Sequence, residues 1–281
     1  MLKRSEIHIR DPFILPDSQR GIYYMYGTNG EMREGNLKKF LVYKTENLED
    51  FSEPTVIFDA EAIGFWAERD FWAPEAHKYR GKYYLFATFK KSKVCRGTQI
   101  LVSDSPEGPF FPLTERPVTP SDWQCLDGTL WVENGVPYIV FCHEWGQVGD
   151  GEICAMPLTE DLKAPTNEPT ILFRASDSPY VNEFPDADCY VTDGPFLYEE
   201  DGRLKMLWSS FYNRRYTVLE AESESGSILG PWKQLPSRLD FDGGHAMLFY
   251  RFDGTRMISL HAPNASSVDK DGQERALFLE Y

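Results

Sequence analysis

Three aspartates head closely similar stretches of the chain: Asp11 in RDPFI (10–14), Asp127 in LDGTLWV (126–132) and Asp193 in TDGPFLY (192–198). Two further stretches of the same build carry Trp72 (FWAPEAH, 71–77) and His245 (GGHAMLF, 243–249) where the acid would stand. Acids make up only 44 of 281 residues, so three acids in five equivalent places exceed what composition supplies. Turn chemistry favours Asp at strand starts and accounts for part of the excess. It does not account for gathering them, because carboxylates brought to one point repel each other with no structural gain. Such a group pushes its own pKa values apart, leaving one acid ionised and another protonated at the same pH. That is the equipment for general acid–base chemistry.

The elements that must bring these residues together are legible in the same stretches. Five segments share one layout, an apolar run, a turn containing Gly and a second apolar run rich in aromatics: 11–28, 72–88, 127–142, 193–209 and 245–260. Their turns, RG, RG, NG, DG and DG, are hairpin chemistry, since Gly supplies the positive φ of a tight connection. The segments begin 61, 55, 66 and 52 residues apart, with no helical stripe between them. FLVYKTENLEDF, ILVSDSPEGPF, ICAMPLTEDL and TVLEAESESGSILGPW follow the first four hairpins and read as third strands. In KYYLFATF both alternating faces are apolar, so the strand is covered on both sides. Small sheets stacked face to face around an axis meet that demand, and five repeats predict an all-β, five-bladed β-propeller. A sandwich would turn every ~8–12 residues without such blocks.

In a propeller the inner strands run side by side along the axis, so the residues opening them ring one mouth of the central channel. Asp11, Trp72, Asp127, Asp193 and His245 are expected there. The ends of the second strands return to the same mouth, one step out. That rim holds Asn29, Lys90, His143, Glu144, Trp145, Tyr212, Asn213, Arg214, Arg215, His261 and Asn264. Aromatic faces stack on the apolar faces of sugars while Asn, Arg and His bond hydroxyls. Asn29, Trp72, His143, Glu144, Trp145, Arg214 and His245 are therefore the expected substrate contacts.

Composition sets the outer bounds. With 42% hydrophobic residues and no shift that marks a linker, residues 1–281 read as one catalytic domain. The net charge of −15 repels polyanions, so nucleic acid and anionic membrane are not expected partners, whereas a neutral saccharide is not penalised. No stretch is apolar for long enough to span a bilayer, and the start lacks an apolar signal core. Five cysteines without a CxxC pair read as reduced thiols in a cytoplasmic protein. Neither GxGxxG, a Walker sequence nor HExxH is present, and no redox cofactor is expected.

With these pieces in order along nearly the whole chain, the sequence resembles glycoside hydrolase family 43, five-bladed propellers that act on arabinofuranosides and xylosides. The resemblance implies that Asp11 is the general base, that Asp127 orients and tunes the acid, and that Asp193 protonates the leaving oxygen. It also implies that Trp72 forms a wall for the sugar. His245 would sit on the axis, where such enzymes hold water or a cation such as calcium. That makes His245 the one expected metal contact, with no cofactor required. The implied reaction is inverting hydrolysis of non-reducing-end α-L-arabinofuranosyl or β-D-xylosyl residues from plant-type oligosaccharides or polysaccharides. An inverting pair needs a gap of about 6.5–9.5 Å to admit water.

One position departs from the family, which usually has Glu where this chain has Asp193. The shorter acid must sit closer to the sugar, act feebly, or yield to another. Glu144 and Glu183 are the stand-ins, and the intact Gly-Pro corner favours Asp193. The loops 29–39, 59–71 and 174–191 suggest a closed, exo-acting pocket. Other readings are a β-galactofuranosidase, a phosphate-dependent propeller using Lys90, Arg214 and Arg215, and a sugar-binding propeller that has lost its acid. A fructan-type enzyme is disfavoured because RDP opens the first repeat.

Overall fold

Strand-forming residues and left-handed turns produce each sheet locally. At Arg80–Gly81, Asn134–Gly135 and Asp201–Gly202 both turn residues have positive φ, the geometry that matches strand twist in a two-residue hairpin. In the computed structural model, which describes residues 1–29, 37–182, 184, 187–237, 239, 241–264 and 273–281, five such sheets form the expected five-bladed propeller. From the axis outward, blade one is Arg10–Asp17, Ile22–Thr28, Lys39–Thr45 and Thr55–Asp59. Blade two is Arg69–Tyr79, Lys82–Lys91, Val94–Ser103 and Phe111–Pro112. Blade three is Cys125–Glu133, Val136–His143, Glu152–Pro157 and Thr170–Arg174. Blade four is Asp193–Glu200, Arg203–Tyr212, Arg215–Ser223 and Trp232–Leu235. Blade five, among the described residues, is Gly244–Tyr250, Arg256–Ala262 and Arg275–Glu280.

The third strands of blades one to four overlap the segments expected for them, and Arg275–Glu280 in blade five is additional. The fourth strands of blades one to four are additional: they are short and partly exposed, and lack the two-faced apolar run that marks the inner ones. Between blades the sheets bury aromatic layers. Phe40, Phe71 and Phe89 meet between blades one and two, with Phe89 5.7 Å from Phe40 and 5.3 Å from Phe71. Trp208, fully buried, lies 5.3 Å from Phe173 between blades three and four. Among the described residues no helix is long and apolar enough to cross a membrane.

Each inner strand contacts the next in order, and that of blade five returns to blade one. The ring is closed by the segment before blade one. Ile9 N–H donates to Glu274 O (3.3 Å), and the fully buried Glu274 carboxylate takes Arg10 Nη1 and His8 Nε2, each at 2.9 Å.

Every inner strand also has a bulge at an equivalent place, and that of blade two has a second, between Arg69 and Trp72. The ladder pairs Arg10 with Thr28, Trp72 with Thr88, Leu126 with Cys142, Asp193 with Ser209 and Gly244 with His261, and then slips. The residue after each pair is left-handed: Asp11 (φ 53°), Ala73 (45°), Asp127 (53°), Gly194 (50°) and His245 (55°). Bulges of this kind take one N–H out of the ladder and re-aim the strand. A buried N–H without a partner costs about 1–3 kcal/mol, so each must find another acceptor. Four find it on the second strand of the preceding blade. Ala73 N–H donates to Thr28 Oγ1 (2.7 Å), Asp127 N–H to Thr88 Oγ1 (3.0 Å), His245 N–H to Ser209 Oγ (2.8 Å) and Asp11 N–H to His261 Nδ1 (3.2 Å).

Candidate active site

The bulges sort the expected site residues into two rings. Asp11, Asp127 and His245 stand at the left-handed positions. Trp72 and Asp193 stand one residue earlier, level with Arg10 and Leu126. The spacing of the repeated stretches does not resolve this one-residue offset, because the hairpins differ in length. The acid candidate therefore belongs to a different ring from the base candidate. Its left-handed neighbour is Gly194, where a Cβ would come within 2.9 Å of the His245 ring. The missing side chain is thus the slot into which His245 fits.

Together the rings line a cavity of about 240 Å³ bounded by Arg10, Asp11, Thr28, Trp72, Leu126, Asp127, Asp193, Tyr216 and His245. This is below the ~300–1,000 Å³ of pockets for drug-sized ligands and suits a single sugar ring. His245 Nδ1 lies 3.4 Å from Asp11 Oδ1 and 3.7 Å from Asp127 Oδ2. Gly194 N–H donates to Asp127 Oδ2 (3.1 Å), and the Tyr216 hydroxyl donates to Asp193 Oδ2 (3.2 Å). The three aspartates and His245 are thus brought to one place.

Their charge states diverge. Burial pushes the Asp11 carboxyl up, but His245 first, then His261 and Arg10, prevail and hold it well below the ordinary carboxylate range. The Thr28 hydroxyl, which accepts Ala73 N–H, donates its own proton to Asp11 Oδ2 at 2.6 Å and favours the ionised form further. Asp193 goes the other way. Burial first and the Asp127 charge second raise it well above the ordinary range, against opposing contributions from His245 and Tyr216. Asp127 itself is raised to about 6 by burial, with His245 opposing and Asp11 adding. Burial works against the His245 imidazolium, but Asp11, Asp127, Glu75 and Asp193 outweigh it and raise its pKa. Asp11 is ionised and Asp193 protonated over the same pH range.

Behind Asp11, His261 Nδ1 lies 3.2 Å from the Asp11 amide nitrogen and 3.3 Å from Asp11 Oδ1, and its Nε2 lies 3.1 Å from Asn264 Oδ1. The same Asn264 oxygen takes Arg10 Nη2 at 3.1 Å. Burial and then Arg10 lower the His261 pKa, in keeping with a neutral ring.

Of the expected rim, Asn29, His143, Glu144, Trp145 and Arg214 do not line the cavity. Asn29 is buried with its Nδ2 3.4 Å from Tyr43 Oη. His143 is buried between Glu152 (2.9 Å) and Gln147 (3.1 Å) and stacks on Trp123 at 4.2 Å. Glu144 is ion-paired with Arg96, whose guanidinium lies 4.5 Å over the Trp72 ring and donates to Asp70 at 2.9 and 3.0 Å. Trp145 stacks on Phe184 (5.4 Å), which meets Phe211 (4.8 Å) and through it Tyr216 (5.3 Å). Arg214 is exposed in a turn, and Glu183 lies outside the described residues. Arg10, Thr28, Leu126 and Tyr216 are the residues that sequence reasoning did not assign to the site. The first three stand beside or opposite bulge residues, a signal available only once the bulge is known.

His245 Nε2 is buried without a protein partner. Among the described residues no cluster of three or more His, Cys, Asp or Glu could hold a metal. The one nitrogen donor fits only a cation that keeps most of its water.

A propeller with an ionised and a protonated carboxyl facing one sugar-sized cavity defines a class, the glycoside hydrolases that work with paired acids. Within it, the family model "Glycosyl hydrolases family 43" matches residues 5–281, and the chain belongs to that family. It is 42% identical to an endo-arabinase from Bacteroides thetaiotaomicron VPI-5482, over 100% of this chain and 96% of that one, with a TM-score of 0.90. A thermostable family-43 glycoside hydrolase shares the fold at 22% identity, over 97% of this chain and 89% of the other, with a TM-score of 0.83. Xylosidase/arabinosidase 43A of Humicola insolens is 30% identical over 138 residues, which is 48% of this chain and 40% of that protein.

Proposed function

We propose that the chain hydrolyses α-L-arabinofuranosyl linkages with inversion, releasing terminal residues from plant-type oligosaccharides or polysaccharides. The observation that carries this reading is the opposed protonation of Asp11 and Asp193 across one cavity. Asp11 takes a proton from water as the water oxygen bonds to the anomeric carbon. The bond from that carbon to the leaving oxygen breaks, and the Asp193 proton passes to that oxygen. Asp127 and Tyr216 hold the acid, while Trp72, backed by Arg96, offers its face to the ring.

Arabinose is favoured by the likeness to the endo-arabinase, and release of single residues by a cavity of one-ring size. β-D-Xylosyl residues are the second reading, supported by the name of the Humicola insolens relative. A hydrated cation on His245 Nε2 would take the place of the ring proton there and supply positive charge beside the same acids, and a chelator would then lower the melting temperature. No disulfide links the described cysteines, which suits a reducing, cytoplasmic compartment.

A panel of aryl and natural arabinosides and xylosides tests the assignment. Asp11→Asn should lower kcat by about 10²–10⁴-fold on every substrate. Asp193→Asn should do so on natural linkages but cost little where the leaving group is an acidic phenol. Unchanged turnover of natural linkages by Asp193→Asn would refute the acid. NMR of the first-formed anomer reads inversion, and a mixture of oligosaccharides from arabinan would overturn the terminal-release part.

A further inference from the structure

The hydrogen bonds that link the blades have one irregular member. In four blades the side chain that accepts the next blade's left-handed N–H is the one paired with the residue before the bulge: Thr28, Thr88, Ser209 and His261. The corresponding residue of blade three is Cys142, paired with Leu126 and fully buried. A thiol is a weak acceptor. The N–H that would come to it, that of Gly194, donates to Asp127 Oδ2 at 3.1 Å instead.

We propose that Cys142 is a positioning residue: by leaving its place in the ring without a strong acceptor, it hands the Gly194 N–H to Asp127. This inference rests on the reading of Asp193 as the acid. The N–H belongs to the peptide that joins Asp193 to Gly194, so the bond ties Asp127 directly to the backbone that carries the acid. A hydroxyl at position 142 would compete for it. The reach is sufficient, because Ser209 makes the equivalent bond in blade four at 2.8 Å. Asp127, released, would close on His245 Nδ1, now 3.7 Å away, and draw off from Asp193.

Packing alone and the acceptor argument rank the variants in opposite orders. Ser is nearly the size of Cys and Ala is smaller, so a packing role makes Cys142→Ser mild and Cys142→Ala worse. The acceptor argument makes Cys142→Ala the mild one, with kcat within about threefold of wild type. For Cys142→Ser a misplacement approaching 1 Å lowers kcat by about 10- to 100-fold, with KM little changed. The loss should be steeper on natural linkages than on nitrophenyl glycosides, and a crystal structure should place Ser Oγ within hydrogen-bond distance of Gly194 N. Cys142→Thr and Cys142→Val form a second pair. They share any overpacking and differ in the hydroxyl, so the ratio of their kcat values reads the acceptor even if both are less stable. Wild-type turnover by Cys142→Ser, or equal kcat for the Thr and Val variants, would overturn the proposal. The underlying acid reading fails on a separate observation, natural-linkage turnover by Asp193→Asn, measured alongside.

Discussion

At Asp193 two neighbours pull in opposite directions, and each can be removed by itself. The Asp127 charge raises the carboxyl, while the Tyr216 hydroxyl, by donating to it, favours its ionised form. A general acid must be protonated, so its pKa sets the alkaline limb of kcat/KM. Asp127→Asn removes a like charge, lowers the Asp193 pKa and should bring that limb to lower pH. Tyr216→Phe should carry it to higher pH. Profiles on a substrate with a poor leaving group check both, and movement in the same direction would refute the arrangement. The acid limb should lie below the ordinary carboxylate range for both variants, because Asp11 stays depressed. The sequence made the three aspartates visible and left their charge states only partly legible. Like-charge repulsion was the expected cause for Asp193, whereas burial is the larger one. Tyr216 was hidden because it reaches the site from the start of a third strand, beyond a turn that carries no signal for where its neighbour points.

Among the elements, the second strands announced themselves by apolar residues on both faces, the inner ones by the repeated hairpin layout, and four of the third strands by their place after the hairpin. What stayed hidden is the bulge, since a single slipped residue leaves no periodic trace. It is the bulge that puts Trp72 level with Asp193 and gives the tryptophan its backing by Arg96. The rim residues were placed near the mouth from strand ends alone. Their side chains instead serve ion pairs and stacks such as Arg96–Glu144 and His143–Trp123. Trp72→Ala should therefore raise KM by about tenfold or more, since full burial of a large apolar side chain is worth ~1.5–3 kcal/mol, with a smaller effect on kcat. Trp72→Phe should recover most of it. Initial-rate kinetics decide, and an unchanged KM would remove Trp72 from the sugar wall.

For the whole molecule, the number and order of blades followed from the repeat, while the closure did not. Arg10 and Glu274 lie 264 residues apart, and nothing in the repeated layout pairs them. Removing one partner of a buried ion pair costs about 3–5 kcal/mol, so Glu274→Ala should unfold at clearly lower temperature. Since Arg10 also bonds Asn264, which holds His261 against Asp11, the same change should depress kcat at temperatures where the protein is still folded. A thermal melt and a rate at low temperature separate the two effects.

The His261–Asp11 bond gives assembly an order. Asp11, the proposed base, stands on the first blade, but the group that seats it comes from the last. A folding chain that has built four blades, or a molecule from which a protease has clipped the fifth, would keep its aspartates yet lack a properly held one to activate water. Catalytic competence should then arrive all at once, with the docking of the final sheet.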